Sequence, residues 1–287
     1  MNKEIDPHTA TETTGHEWDG IKELNTPLPR WWITIFWATI VWAAVYWFFM
    51  PAWPVFGGYT HGYLNHSQRD DVRNAVVALK TERQGREVAL SNASLEQIEK
   101  NPELLQFALA EGKSAFADNC AACHGSGGQG AKGYPNLNDD VWLWGGKLED
   151  IQHTITVGAR STSPRTRYSA MPAFGRDNLL KPEQISDLTE FVVALSGRPA
   201  DKSAVGRARK LFADNCAQCH GAAGKGDRSM GAPDLTADSY LYGPARQDIS
   251  DQIWNGHGGV MPTWEGRLSP ETIKSLAIYV HSLGGGE

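Results

Sequence analysis

Phe116-Ala-Asp-Asn-Cys120-Ala-Ala-Cys123-His124-Gly125 and Phe212-Ala-Asp-Asn-Cys216-Ala-Gln-Cys219-His220-Gly221 differ at one position and lie 96 residues apart. The likeness runs on. Asp-rich DDVWLWGG (Asp139 to Gly146) is matched by DSYLYG (Asp238 to Gly243) at an offset of 98, and Leu148 to Gly158 by Arg246 to Gly256 at the same offset. Met171-Pro172 is matched by Met261-Pro262 at 90, and Pro182 to Gly197 by Pro270 to Gly285 at 88. So small a drift means that one unit of roughly 90 residues is duplicated, and two copies predict two domains. Their expected bounds are 101–198 and 204–287, with GRPADKSAV (Gly197 to Val205) as the linker.

Each copy reads as all-α. Asn101 is placed to cap a first helix, with Pro102 at its first position and Glu103 in its first turn. Ser269 and Pro270 repeat that signature before the final helix, and Pro182-Glu183 opens its counterpart. Apolar residues recur at Ile185, Leu188, Val192 and Leu195, and again at Ile273, Leu276, Val280 and Leu283, a helical spacing. Gly112 stands one turn before Phe116, and Ala208 one turn before Phe212. A small residue there lets a second helix approach, and the expected partner is a last helix, through Phe191 or Tyr279.

The four cysteines are all consumed by the two C-x-x-C-H arrays. In that array two thiols add to the vinyl groups of haem, and the next residue, His, is delivered to the iron. Cys120, Cys123 and His124, and Cys216, Cys219 and His220, therefore predict two covalently bound haems c. A zinc site would need its Cys pairs close together, and here each pair has its own His and its own domain. A redox dithiol would need a βαβ setting, which the helical pattern lacks. Met171 and Met261 occupy matching positions before the last helices, 47 residues after His124 and 41 after His220, and are the expected sixth ligands. The axial iron ligands are thus His124, Met171, His220 and Met261. Each Met is assigned by default to the haem of its own repeat; an exchange across the short linker is equally compatible with the spacing. Met230 has no counterpart and reads as loop packing, His153 as a surface residue, and His257 as a loop residue near Met261. No catalytic residue is expected.

Outside the repeat, Trp31 to Met50 is an uncharged run of twenty residues. At about 1.5 Å per residue it spans roughly 30 Å, a bilayer's hydrocarbon core. The anchor is bounded as 31–54, after a polar segment 1–30 and before a partly helical connector 55–100. The polar segment and the missing cleavage site argue for an uncleaved anchor rather than a removed signal. Lys and Arg do not settle its orientation, with three in residues 1–30 against five in 57–86. Haem c is attached outside the bacterial cytoplasm, which predicts a cytoplasmic N-terminus, a single pass and periplasmic haem domains. Trp37, Trp42 and Trp47 lie deep in the span, and at least one is expected to pack against another membrane subunit. The formal net charge of -6 gives no basic patch for nucleic acid.

The repeats differ in length at one place. Twelve residues separate Gly158 from Met171, against four between Gly256 and Met261. The extra stretch holds Arg160, Arg165 and Arg167 and no acid. The stretch reads either as a solvated loop or as a loop at a haem edge, where one Arg pairs with a propionate and the others face an acidic surface of a neighbouring subunit.

With these motifs assembled, the chain resembles the dihaem subunit (subunit III, CcoP or FixP type) of cbb3-type cytochrome c oxidases. The run WDGIKELNTPLPRWW (Trp18 to Trp32) is similar to that family's approach to the membrane, and the tandem C-x-x-C-H arrays, WLWGG and both Met-Pro pairs extend the likeness. The resemblance implies an electron relay in the bacterial inner membrane, without an active site of its own, within an oxygen-reducing, proton-pumping complex. Electrons would enter from a soluble or membrane-bound donor cytochrome c and leave through a monohaem cytochrome subunit for the catalytic haem-copper subunit. It also implies His-Met ligation at the positions named. A free-standing, membrane-anchored dihaem shuttle would share the haem motifs but not the N-terminal run. A dihaem peroxidase would need an open sixth position, against which the two Met-Pro pairs argue.

Overall fold

A computed structural model describes residues 4–286. They divide into one unit up to Thr81 and another from Glu82 onward. The first unit departs from an all-α reading. Residues Thr13–Trp18 (β1) and Ile21–Leu24 (β2) form an antiparallel pair turned at Asp19-Gly20, both of positive φ. A smaller pair, Pro54–Val55 (β3) and Gly58–Tyr59 (β4), turns at Gly57. Turn residues able to adopt positive φ make both hairpins, a local signal that the polar composition of these stretches hides.

Between the hairpins lies α1 (Arg30–Phe49), the only described helix long and apolar enough to cross a membrane. No residue of it is buried within the chain. It stops short of the expected 54, because the Met50 N–H makes the last helical bond, to Tyr46, and Pro51 has no N–H to continue. A 25-residue helix α2 (Gln68–Asn92) follows, so the connector is more helical than its polarity suggests.

In the second unit the chain runs through α3 (Leu95–Lys100), α4 (Pro102–Asn119), α5 (Ala121–His124), α6 (Leu148–Val157) and α7 (Pro182–Leu195), then α8 (Lys202–Asn215), α9 (Ala217–His220), α10 (Arg246–Asn255) and α11 (Pro270–His281). The caps are those expected. Asn101 Oδ1 accepts from the N–H groups of Glu103 and Leu104, and Ser269 Oγ from that of Thr272.

Helices of the two repeats pack across one another. Helix α11 of the second repeat packs on α4 and α6 of the first, while α7 of the first packs on α8 and α10 of the second. One core gathers Phe116, Ile151 and Ile155 with Trp264, Ile273 and Leu276; the other gathers Phe174, Ile185 and Leu188 with Phe212, Ile249 and Ile253. The helix-crossing aromatics follow suit: Phe116 meets Tyr279 at 5.4 Å between ring centroids, and Phe212 meets Phe191 at 4.8 Å. The reason is the linker. Helix α7 ends at Leu195 and α8 begins at Lys202, and so short a connection makes sequential helices spatial neighbours. With α7 held on α8, the first core is left to take α11. Burial of side chains such as Phe116 and Leu276, 1% and 0% exposed, stabilises each crossed core by about 1.5–3 kcal/mol per residue.

Candidate functional site

Each C-x-x-C-H array occupies one helical turn at the end of a longer helix. Cys120 ends α4 and opens α5, and the His124 N–H donates to its carbonyl at 3.0 Å. Cys216 stands likewise between α8 and α9, with the His220 N–H at 2.9 Å. Positions i, i+3 and i+4 of a helix share a face, so both thiols and the imidazole present together. Gly125 and Gly221, at φ 80° and 72°, then turn the chain back. The returning loop fixes each ring: His124 Nδ1 donates to the Pro135 carbonyl at 2.9 Å, and His220 Nδ1 to the Pro233 carbonyl at 3.1 Å. With Nδ1 committed to a carbonyl, Nε2 carries the lone pair, as an iron ligand requires.

Burial works against charge on these groups. Burial pushes both imidazoles below the usual histidine range, against the opposing effect of the proline carbonyls. Burial, with a smaller contribution from the neighbouring Cys, pushes the Cys120 and Cys216 thiols up to about 11.

A cavity opens beside the second array, lined by Cys216, Cys219, His220 and Met171. Leu188, Val192 and Phe212 make much of its wall apolar. Two thiols, an imidazole and a thioether around an apolar space are the donor set of a covalently attached porphyrin iron, so the residues present fit haem c. The Met comes from the other repeat. Met171 packs on the second core together with Cys216, and its sulfur accepts from Gln252 Nε2 at 3.7 Å. Met261 packs on the first core together with Cys120 and Trp142. Each Met thus lies with the array of the opposite repeat: Met171 beside Cys216, Cys219 and His220, and Met261 with Cys120. The cause is the crossing of α7 and α11, which carries the preceding Met-Pro segments along.

Other expectations are sorted by the same geometry. Met230 lies in an exposed turn and His153 is exposed on α6. His257 pairs with Asp251 at 2.9 Å and lines the same cavity as Met171, beyond a purely loop role. The three arginines do not form a free cationic loop. Arg165 pairs with Glu265, and Arg167 pairs with Asp150 at 3.2 Å beneath the Trp144 ring. Only Arg160 lines the cavity. Sequence reading missed the two proline carbonyls, although Pro135-Asn-Leu and Pro233-Asp-Leu recur at the repeat offset. It also missed Gln252, which has no motif around it.

Comparison with known proteins agrees with this architecture. Residues 10–57 match the family described as the N-terminal domain of cytochrome oxidase-cbb3, FixP; residues 109–196 match cytochrome c; residues 203–280 match cytochrome c oxidase, cbb3-type, subunit III. The cbb3-type cytochrome c oxidase subunit FixP of Bradyrhizobium sp. (strain ORS 278) is 52% identical over 287 residues, covering 100% of this chain and 99% of the relative. That of Bradyrhizobium diazoefficiens is 52% identical over the same shares. The subunit CcoP of Azospirillum brasilense is 47% identical over 292 residues, 99% of each chain. Likeness of this kind from end to end, on a mostly helical frame with two cytochrome c domains behind one apolar helix, shows that the chain belongs to the FixP/CcoP family of cbb3-type cytochrome c oxidase subunits.

Proposed function

We propose that this subunit carries two covalently attached haems c and passes electrons from a donor cytochrome c, soluble or membrane-bound, towards the catalytic haem-copper subunit by way of a monohaem cytochrome subunit. The first haem is held by Cys120, Cys123 and His124 with Met261, the second by Cys216, Cys219 and His220 with Met171. Bound there, the iron supplies one-electron redox chemistry. The chain's own residues anchor the ring, keep the imidazoles neutral, and close the sixth position with a thioether that favours the ferrous state. Oxygen reduction and proton pumping are assigned to the rest of the complex. The observation that carries this reading is the cavity in which Met171 joins Cys216, Cys219 and His220. Helix α1 is assigned as a single pass through the bacterial inner membrane, with the N-terminus cytoplasmic and both haem domains periplasmic.

Haem staining of the denatured chain with pyridine haemochrome quantification is expected to give two haems per polypeptide, and the native spectrum two low-spin centres. The chain is expected to co-purify with the other oxidase subunits. One haem per chain would overturn the duplicated site, and purification without any membrane partner would favour a free-standing shuttle. Protease added to intact spheroplasts should remove the haem domains and spare the N-terminus; protection of the haem domains would reverse the orientation.

A further inference from the structure

Arg160 is the only Lys or Arg side chain among the described residues lining the cavity of Cys216, Cys219, His220 and Met171. Three carboxylates line it too, two of them paired with a lysine outside it and the third held by donors of the cavity wall. Asp248 binds Lys132, Asp234 pairs with Lys225 at 3.4 Å, and Asp139 accepts from the Val141 N–H at 3.1 Å. Arg160 instead spends its donors on backbone: Nε donates to the Gly259 carbonyl at 2.5 Å and Nη1 to that of Ser169 at 3.0 Å. Those two bonds hold the guanidinium plane and use neither hydrogen of Nη2.

The backbone of Arg160 is also constrained. Its φ is 52°, a region that a non-glycine residue enters at some cost and keeps only when its surroundings impose it. Here they do, through the Arg160 N–H to the Arg167 carbonyl at 2.9 Å and the pairing of Ala159 with Met261. The other two arginines of the loop are committed to Glu265 and Asp150. In the second repeat the aligned position is Gly258, so repeat symmetry gives the first array no equivalent cation.

We propose that Arg160 binds a propionate carboxylate of the haem held at Cys216 and Cys219, and that its charge raises the reduction potential of that haem alone. A carboxylate accepts two N–H bonds along one edge of a guanidinium, a geometry that suits Arg over Lys. A fixed positive charge at the edge of a largely apolar cavity favours the state that has gained an electron. The asymmetry of the loop thus makes two otherwise duplicated sites electrically unequal. This rests on the haem reading above, and its test separates the two.

Haem content of the wild-type complex is measured first, since fewer than two haems per chain would sink the underlying reading and not this one. Spectroelectrochemical titration then compares wild type, Arg160→Gln and Arg160→Lys in the complete complex. The expected result is one midpoint potential lowered in Arg160→Gln with the other unmoved, and most of that shift recovered in Arg160→Lys. Should Arg160→Gln fail to accumulate, Arg160→Met serves as the neutral variant in the same titration. Both potentials unchanged in the neutral variant, or Lys shifting as far as the neutral variant does, would overturn the proposal.

Discussion

The backbone of Met261 pairs with that of Ala159 in both directions, the Met261 N–H donating to the Ala159 carbonyl at 2.9 Å and the Ala159 N–H to the Met261 carbonyl at 3.0 Å. Residues of opposite repeats are thereby tied at the point where the chain leaves the first core for the second. Gly158 sits against the Met261 carbonyl and Gly256 against that of Met171, so the exchange is reciprocal.

The crossed pairing makes a spectroscopic prediction. In a chain with Cys120 and Cys123 both replaced by Ala, only the second haem remains. There Met171→Ala should abolish the methionine-to-iron charge-transfer band, and Met261→Ala should leave it. With Cys216 and Cys219 replaced instead, the two outcomes should trade places. Loss of the band with the Met of the same repeat would restore the uncrossed pairing.

Gly158 and Gly256 have φ of 71° and 63°, and a Cβ on either would clash with the carbonyl of the opposite Met. Ala at either position should cost about 1–2 kcal/mol for the backbone conformation alone, and more for the displaced Met strand. Denaturant melts read the stability. The band weakened by Gly158→Ala should belong to the haem at Cys120 and Cys123, whose Met it pushes away.

The helix crossing gives a matched pair of substitutions. A Cβ on Gly112 would run into the Ser275 carbonyl and the Tyr279 side chain of α11, whereas Gly206 in α8 has nothing within 4 Å. Gly112→Ala should destabilise by about 1–3 kcal/mol through overpacking. Gly206→Ala should be neutral or stabilise by up to about 1 kcal/mol, the helix-propensity difference. Thermal unfolding should come earlier in Gly112→Ala and no earlier in Gly206→Ala, and a similar loss in both would count against the close α4–α11 approach.

Arg165 and Arg167 should separate in the same assay. Arg165 pairs with Glu265 in the open, with side chains 57% and 52% exposed, and Arg165→Ala should cost about 0.2–1 kcal/mol or less. Arg167 is 14% exposed, bonds both the Asp150 carboxylate and the Asp150 carbonyl, and lies over Trp144. Arg167→Ala should cost about 1–3 kcal/mol, because Asp150 loses a charged partner. Added salt should erase the Arg165 effect and spare most of the Arg167 effect.

Local chemistry was legible in the residues themselves. The caps at Asn101 and Ser269, the apolar run of α1 and the C-x-x-C-H turns depend on neighbours within a few positions. The hairpins at Asp19-Gly20 and Gly57 were legible in principle but overlooked, because a polar segment before a membrane span invites a coil reading. What the arginine-rich loop does was not legible. Its charge pattern is visible, but whether Arg165 and Arg167 face outward depends on Glu265, a hundred residues away, and on Asp150 in α6.

By itself, the sequence determined that this protein has an apolar run long enough to span a membrane, two copies of one helical unit and two C-x-x-C-H arrays, since each is written within one turn or one periodicity. Tertiary structure alone decided which Met lies beside which array. Two near-identical repeats offer almost equal surfaces to α7 and α11, so the local apolar patterns suit either partner. The six residues between Leu195 and Lys202 break that degeneracy by holding α7 on α8. Helix α11, Met261 and Trp264 then complete the first core, and a linker's length settles what no motif could.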